Sequence, residues 1–167
     1  LMGQKFAKAF DAKFKNQQGK EEYLWTTAYG PAMSRILASI VSTHGDDKGL
    51  ILPFNLSPIQ IVIVPIYNKD NKNKILKYAA QINNKLKEIK THIDLRENLS
   101  PGWKFNEWEL KGVPFRIEIG EKELKSKKLT FYNRSTNKKE NLSLKDLSKI
   151  KEFGEKYDKK LLQKADK

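Results

Sequence analysis

Apolar and polar residues change their spacing several times along the chain, and each change marks an element. Phe10-Asp11-Ala12-Lys13-Phe14 alternates, Asn16-Gln17-Gln18-Gly19 has turn composition, and Tyr23-Leu24-Trp25-Thr26-Thr27 resumes in β-favouring residues, which predicts a hairpin. Gly30-Pro31 opens a helix in which Ile36, Leu37, Ile40 and Val41 fall at helical spacing, with Gly45 as its stop. Residues 59–66 are almost continuously apolar and β-branched, as in a strand covered on both faces. Ile75, Tyr78, Ala79, Ile82, Leu86 and Ile89 then step by three and four, an amphipathic helix. Ile93 and Leu95 alternate with Asp94 and Arg96 in a shorter strand, completing a βαβ unit.

Further on, a Pro-Gly turn precedes a short helix over residues 104–111, stopped by Gly112. Phe115, Ile117 and Ile119 alternate with Arg116 and Glu118, a strand with one charged face. Residues 129–134 make a fourth strand and Asn141-Leu142 a brief fifth. Ser143 with Asp146 resembles a capping box, and Leu144, Leu147, Ile150, Phe153, Tyr157 and Leu161 lay a stripe on a last helix. The Lys-rich stretch over residues 151–167 is expected to fray. The expected architecture is α/β: a five-stranded mixed sheet flanked by helices over residues 55–167, with residues 1–54 the incomplete end of a preceding domain.

Composition adds an electrostatic expectation. Lys and Arg number 33 against 20 Asp and Glu, a formal net charge of +13. An acidic partner follows, nucleic acid being the commonest, although Lys and Asn recur even in ordinary loops and part of the excess is discounted as compositional bias. Cysteine is absent, which excludes disulfides, thiolate zinc sites and a cysteine nucleophile. No apolar run approaches the roughly 18–20 residues needed to span a bilayer, and no membrane partner is expected. The chain starts Leu-Met-Gly-Gln-Lys, without a signal-peptide pattern, and is expected to be a piece of a longer protein.

No Gly-x-Gly-x-x-Gly, Walker A or Gly-x-Ser-x-Gly pattern occurs. His44 lies beside Asp46 and Asp47, but a helix C-terminus with a favourable histidine and glycine explains it better than a metal site, and no metal is expected. Arg35, in the first turn after Gly30-Pro31, suits either a phosphate at a helix N-terminus or plain surface. Residues 102–116 concentrate aromatics and charge, with two of the chain's 3 tryptophans. Aromatics among cations suit unstacked RNA bases; the alternative is that Trp103, Phe105 and Trp108 pin the helix to the sheet. The tight turn at residues 112–114 folds Arg116 back toward Glu109, where a mutual salt bridge and an RNA contact both stand as readings.

On four collinear runs the sequence resembles the prolyl-tRNA synthetases of the archaeal and eukaryotic-like type. These are Gly3-Gln4-Lys5-Phe6-Ala7-Lys8-Ala9-Phe10, residues 43–53 (Thr-His-Gly-Asp-Asp-Lys-Gly-Leu-Ile-Leu-Pro), residues 58–66 (Pro-Ile-Gln-Ile-Val-Ile-Val-Pro-Ile) and residues 102–120 (Gly-Trp-Lys-Phe-Asn-Glu-Trp-Glu-Leu-Lys-Gly-Val-Pro-Phe-Arg-Ile-Glu-Ile-Gly). The resemblance implies an anticodon-binding domain over residues 55–167 and, over residues 1–54, the end of a class II catalytic domain with its third motif. Arg35 takes the place of that motif's ATP-phosphate arginine, although Tyr29-Gly30-Pro31-Ala32-Met33-Ser34-Arg35 runs one residue longer than the family pattern. Glu109, Arg116 and Lys122 occupy positions that in the family contact the two guanines of proline anticodons. A carboxylate accepts from guanine N1–H and N2–H₂, while a cation donates to O6 and N7.

The implied parent is a cytoplasmic, homodimeric proline–tRNA ligase using ATP and Mg²⁺ with proline and proline tRNA. This chain alone is expected to be inactive and to need no cofactor. The alternative from another class is a non-catalytic RNA-binding module of the same fold, and a related class II synthetase for another amino acid is the third reading.

Overall fold

The computed structural model describes residues 1–166, and Lys167, the end of the Lys-rich stretch, lies outside them. The chain forms two compact units, Leu1–Ile36 and Leu37–Lys167. In the first, a short helix α1 (Lys5–Ala9), absent from the sequence reading, precedes the expected hairpin of β1 (Lys13–Lys15) and β2 (Glu21–Tyr23). Asn16 closes the turn, its Oδ1 accepting from the backbone N–H of Gln18 at 2.9 Å and of Lys20 at 3.0 Å. Of the apolar side chains in this unit only Ala7 is buried, while Phe10, Trp25, Tyr29 and Met33 are exposed. Helix α2 (Met33–His44) begins here and ends in the second unit. Its spacing is helical as expected, but Ile36, Leu37 and Val41 are exposed and only His44 is buried.

The second unit is built on β3 (Ile61–Pro65), β4 (Thr91–Ile93), β5 (Phe115–Ile119), β6 (Lys128–Asn133) and β7 (Lys138–Ser143), in the order β4-β3-β5-β6-β7. The β3–β4 and β3–β5 pairs are parallel, and β5–β6 and β6–β7 antiparallel, so the sheet is mixed as expected. Three helices join the strands: α3 (Lys72–Lys85), α4 (Pro101–Leu110) and α5 (Glu121–Ser126), the last not anticipated. A 3₁₀ turn (Asp146–Lys149) leads into α6 (Ile150–Ala165). Asp146 accepts from the Ser143 backbone N–H at 3.0 Å and hydroxyl at 2.7 Å, the capping contact read from the sequence.

Alternation along the strands sorts side chains onto two faces. Ile61, Ile63, Phe115, Ile117, Ile119, Leu129 and Phe131 point to one face and pack against Ile75, Tyr78, Ala79 and Ile82 of α3 and Ile150, Tyr157 and Leu161 of α6. The expectation that residues 151–167 fray is corrected. Helix α6 continues to Ala165 because Tyr157 and Leu161 are core residues and the Asp158 carboxylate accepts from the backbone N–H groups of Phe54 at 2.5 Å and Asn55 at 3.2 Å. The same contacts bring Ile51 and Phe54 into the sheet's main core, and the compact unit that holds the sheet starts at Leu37.

The opposite face is smaller: Val62 and Val64 pack with Trp108 and Val113 beneath α4, flanked by Ile59 and Phe105. The rest of that interface is charge. The expected alternation at the end of β4 is reversed, since the strand stops at Ile93, Leu95 is exposed and Asp94 is buried. Asp94 continues the backbone pairing by donating its N–H to Ile63 O at 2.9 Å, which turns its carboxylate under α4. There it accepts from Trp108 Nε1–H at 2.9 Å and, in a fork, from Arg96 Nε at 2.9 Å and Nη2 at 2.7 Å. Buried Lys104 donates to Asp94 O at 3.2 Å, and Arg96 Nη1 is ion-paired with Glu107 at 2.7 Å. Ser100 caps the helix by accepting from Trp103 N–H at 3.3 Å, with Pro101 in the first turn. Burial alone would raise the Asp94 carboxyl, but hydrogen bonds from Arg96 and Trp108 and the charge of Lys104 hold it well below the usual carboxylate range.

Two stability predictions follow from this packing. Gly154 lies in the interior of α6 against the Phe54 ring, which a Cβ there would overlap. Although alanine is the better helix former, Gly154→Ala should cost about 1–3 kcal/mol through overpacking, read from urea midpoints. Asp94→Asn leaves Lys104 and Arg96 facing a neutral group and should cost about 3–5 kcal/mol. Because the folded-state pKa of Asp94 is depressed, its contribution is complete above the unfolded value near ~3.9 and is lost as pH falls through the folded value. Between about pH 5 and 3, wild type should therefore lose more stability than Asp94→Asn does.

Candidate nucleic-acid interface

Strand β5, read from the sequence as having one charged face, carries those charged side chains on the α4 side, and they are buried. Arg116 is only 3% exposed, and its guanidinium carbon lies 4.1 Å from the Phe105 ring centroid and 4.2 Å from that of Tyr132. A cation buried this deeply needs counter-charges, and two carboxylates supply them. Arg116 Nη1 donates to Glu109 Oε1 at 2.8 Å, and Nε donates to Glu118 Oε1 at 3.1 Å. Glu118 is itself paired with Lys139 at 2.8 Å. Tyr132 pairs with Arg116 across β5 and β6, and its hydroxyl donates to Asn137 Oδ1 at 2.6 Å. Burial, reinforced by the Glu109 charge, pushes that phenol up to about 12.

The salt bridge read for Glu109 and Arg116 is thus present, and the other oxygen of Glu109, whose side chain is 12% exposed, is left to a second cation. Lys48 Nζ lies 3.7 Å from Glu109 Oε2. Lys48 is placed by a tight turn in which Asp46 accepts from the Lys48 backbone N–H at 3.0 Å. Arg134, fully buried, holds this turn against the end of α4. It forks onto the Asp46 carboxylate, donates from Nη2 to Gly49 O at 3.2 Å, and donates from Nε to Glu109 O at 3.2 Å. The hydrogen bond from Arg134 holds the Asp46 carboxyl well below the usual carboxylate range. Leu50 N–H donates to Leu110 O at 3.0 Å, and Gly49, with φ of +123°, passes so close that a Cβ would come within 2.5 Å of Leu110 Cα.

Lys48 and Glu109 form one side of an open groove of about 490 Å³, with Trp103, Asn106, Glu107 and Leu110 as the rest of its lining. The three aromatics singled out in the sequence divide their roles. Trp108 is buried and Phe105 covers Arg116, so both pin α4 to the sheet, whereas Trp103 is half exposed in the groove. Lys122 is exposed in the first turn of α5, past the far end of β5, and among the described residues no hydrogen bond or ion pair joins it to Glu109 or Arg116. Asp46, weighed with His44 as a possible metal ligand, is taken up by Arg134, and among the described residues no cluster of three or more His, Cys, Asp or Glu could hold a metal.

Lys48, Asp46 and Arg134 were not legible as one unit in the sequence. Asp46-Asp47-Lys48-Gly49 reads only as a turn, and its partner lies 88 residues away. Arg35 is exposed on α2, as is every residue from 27 to 39. No helix among the described residues is long and apolar enough to cross a membrane.

The geometry agrees with what comparison finds. Residues 60–152, from the start of the five-stranded sheet to the first turn of α6, match the family model described as "Anticodon binding domain". The chain is similar to the proline–tRNA ligase of Thermofilum pendens, 46% identical over 145 residues that cover 85% of this chain and 30% of the relative. It is also similar to that of Methanocaldococcus jannaschii (45% identical, 83% of this chain, 30% of the relative) and that of Flavobacterium johnsoniae (41%, 99% and 34%). The chain spans about a third of the length of the curated relatives it matches. Since that match covers more than half of the chain, including α4 and β5, which carry Glu109 and Arg116, the chain belongs to the anticodon binding domain family.

Proposed function

We propose that the domain over residues 55–167 reads the anticodon of proline tRNA within a proline–tRNA ligase, by accepting hydrogen bonds from a guanine at Glu109. The observation that carries this reading is the Glu109 carboxylate itself, in the lining of the groove, with one oxygen fixed by buried Arg116 and the other beside Lys48. A carboxylate has no value as an attractor of polyanions. Held rigidly at the rim of a groove with a half-exposed tryptophan, it suits the N1–H and N2–H₂ donors of an unstacked guanine. Arg116 acts in this reading by holding Glu109, and its remaining donors reach a base only if that pair opens. Lys122, at the far end of β5, meets a second guanine or the RNA backbone.

The rest of the proposal extends to the parent enzyme. Residues 1–54 are the end of its catalytic domain, with Arg35 toward the phosphates of ATP and Mg²⁺ as the nucleotide's counter-ion. The parent activates proline, transfers it to tRNA, and works as a cytoplasmic homodimer. The similarity to proline–tRNA ligases supports this.

Glu109→Ala decides the central residue. General basicity predicts unchanged or tighter RNA binding on losing a negative charge. Base reading predicts a loss of about 1–3 kcal/mol for an anticodon stem-loop with guanine at the two shared positions, absent when those bases are changed. Arg116→Ala should lose a similar amount through a misplaced Glu109, and Lys122→Ala less. If Glu109→Ala binds the matched loop as tightly as wild type, Glu109 does not read the anticodon.

A further inference from the structure

We infer that Lys48 is a specificity-determining residue of this site, donating to guanine O6 beside the Glu109 acceptor; the inference rests on the anticodon reading proposed above. A carboxylate alone meets only the donors of guanine's Watson–Crick edge, and the adjacent O6 needs a donor of its own. Arg116 is poorly placed to provide it, being 3% exposed and bonded to Glu109 and Glu118. Lys122 lies beyond the other end of β5. Lys48 is in the groove, and its side chain is 54% exposed while Nζ stands 3.7 Å from Glu109 Oε2.

That spacing presents a donor and an acceptor side by side. Guanine offers the complement, O6 next to N1–H, whereas adenine offers a donor at N6 next to an acceptor at N1 and meets the pair with both polarities reversed. The groove supplies the remaining requirement, a surface for the base's π-face. Trp103 and Leu110, both largely exposed, are seven residues apart on α4 and so lie on one face of the helix. Trp103 is steadied by the Arg96 guanidinium, 5.7 Å from its ring.

The placement of Lys48 is built rather than incidental. Its backbone N–H is bonded to Asp46, Asp46 is clamped by buried Arg134, and Arg134 also bonds the carbonyl of Glu109. One buried guanidinium therefore sets both the donor and the acceptor. Gly49, pressed against Leu110, keeps the turn seated on α4.

The test uses the full 167-residue chain and anticodon stem-loops carrying guanine or adenine at each of the two positions, with thermal midpoints to check folding. Lys48→Met should leave the midpoint unchanged, weaken the guanine loop about tenfold and leave the adenine loop unaffected, so the discrimination ratio falls. Lys48→Arg, which keeps a donor, should retain most of that ratio. An equal loss on both loops would make Lys48 a phosphate contact, and no loss would make it a bystander; either result overturns the inference. If wild type discriminates and Glu109→Ala abolishes this while Lys48→Met does not, only the Lys48 assignment falls. If wild type does not discriminate, the anticodon reading falls and takes this inference with it.

Discussion

The seating of α4 depends on the Asp94 carboxylate, buried at the end of β4. A charge in that position is tolerated only when its lone pairs are filled, and the partners that fill them come from one short stretch of chain. Arg96 lies two residues on, and Trp108 and Lys104, the latter ion-paired with the carboxylate and hydrogen-bonded to the Asp94 carbonyl, lie on successive turns of α4. Satisfying Asp94 thus draws the helix onto the sheet with Trp108 inward, over Val62 and Val64. Once the helix is so placed, residue 109 must lie beside the strand that carries Arg116, and the groove-facing side of α4 is the one with Trp103 and Leu110.

A second buried charge governs the neighbouring turn. Arg134 immediately follows the sheet's fourth strand in the chain's order and has no exposure at all. Its donors are met by a carboxylate and two backbone carbonyls, from residues 46, 49 and 109. The two guanidinium systems share Glu109: Arg116 holds its side chain and Arg134 its carbonyl. Such shared partners couple energetically, so the groove's polar rim behaves as a unit with the core rather than as a set of independent surface residues. The net charge of +13 provides attraction for any polyanion; the buried pairs provide orientation, which is what discrimination between bases needs.

Helix α2 shows the other limit of reading hydrophobicity along a chain. Ile36, Leu37 and Val41 repeat at helical spacing and the helix forms, yet the face they define is exposed. Periodicity reports which residues share a face. Whether that face is buried depends on what lies opposite it, which no pattern within the helix contains. The compact unit likewise takes in Ile51 and Phe54, because a domain is defined by the contacts of its core and those two residues pack with Phe115 and Tyr157.

The sequence by itself determined the order of the five strands along the chain, the apolar faces of α3 and α6, the turn that folds Arg116 toward Glu109, and the similarity that points to anticodon binding. All of these are local or periodic properties, carried by neighbours within a few residues or by runs that match a family. It did not show that the charged side of β5 is buried, read Leu95 rather than Asp94 as the inward residue, and took Lys48 for part of an ordinary turn. Those points were decided only by the tertiary structure. Each depends on a buried ion pair or hydrogen bond between segments far apart in the chain, and a charged residue reads the same in sequence whether its counter-charge is water or a partner 88 positions away.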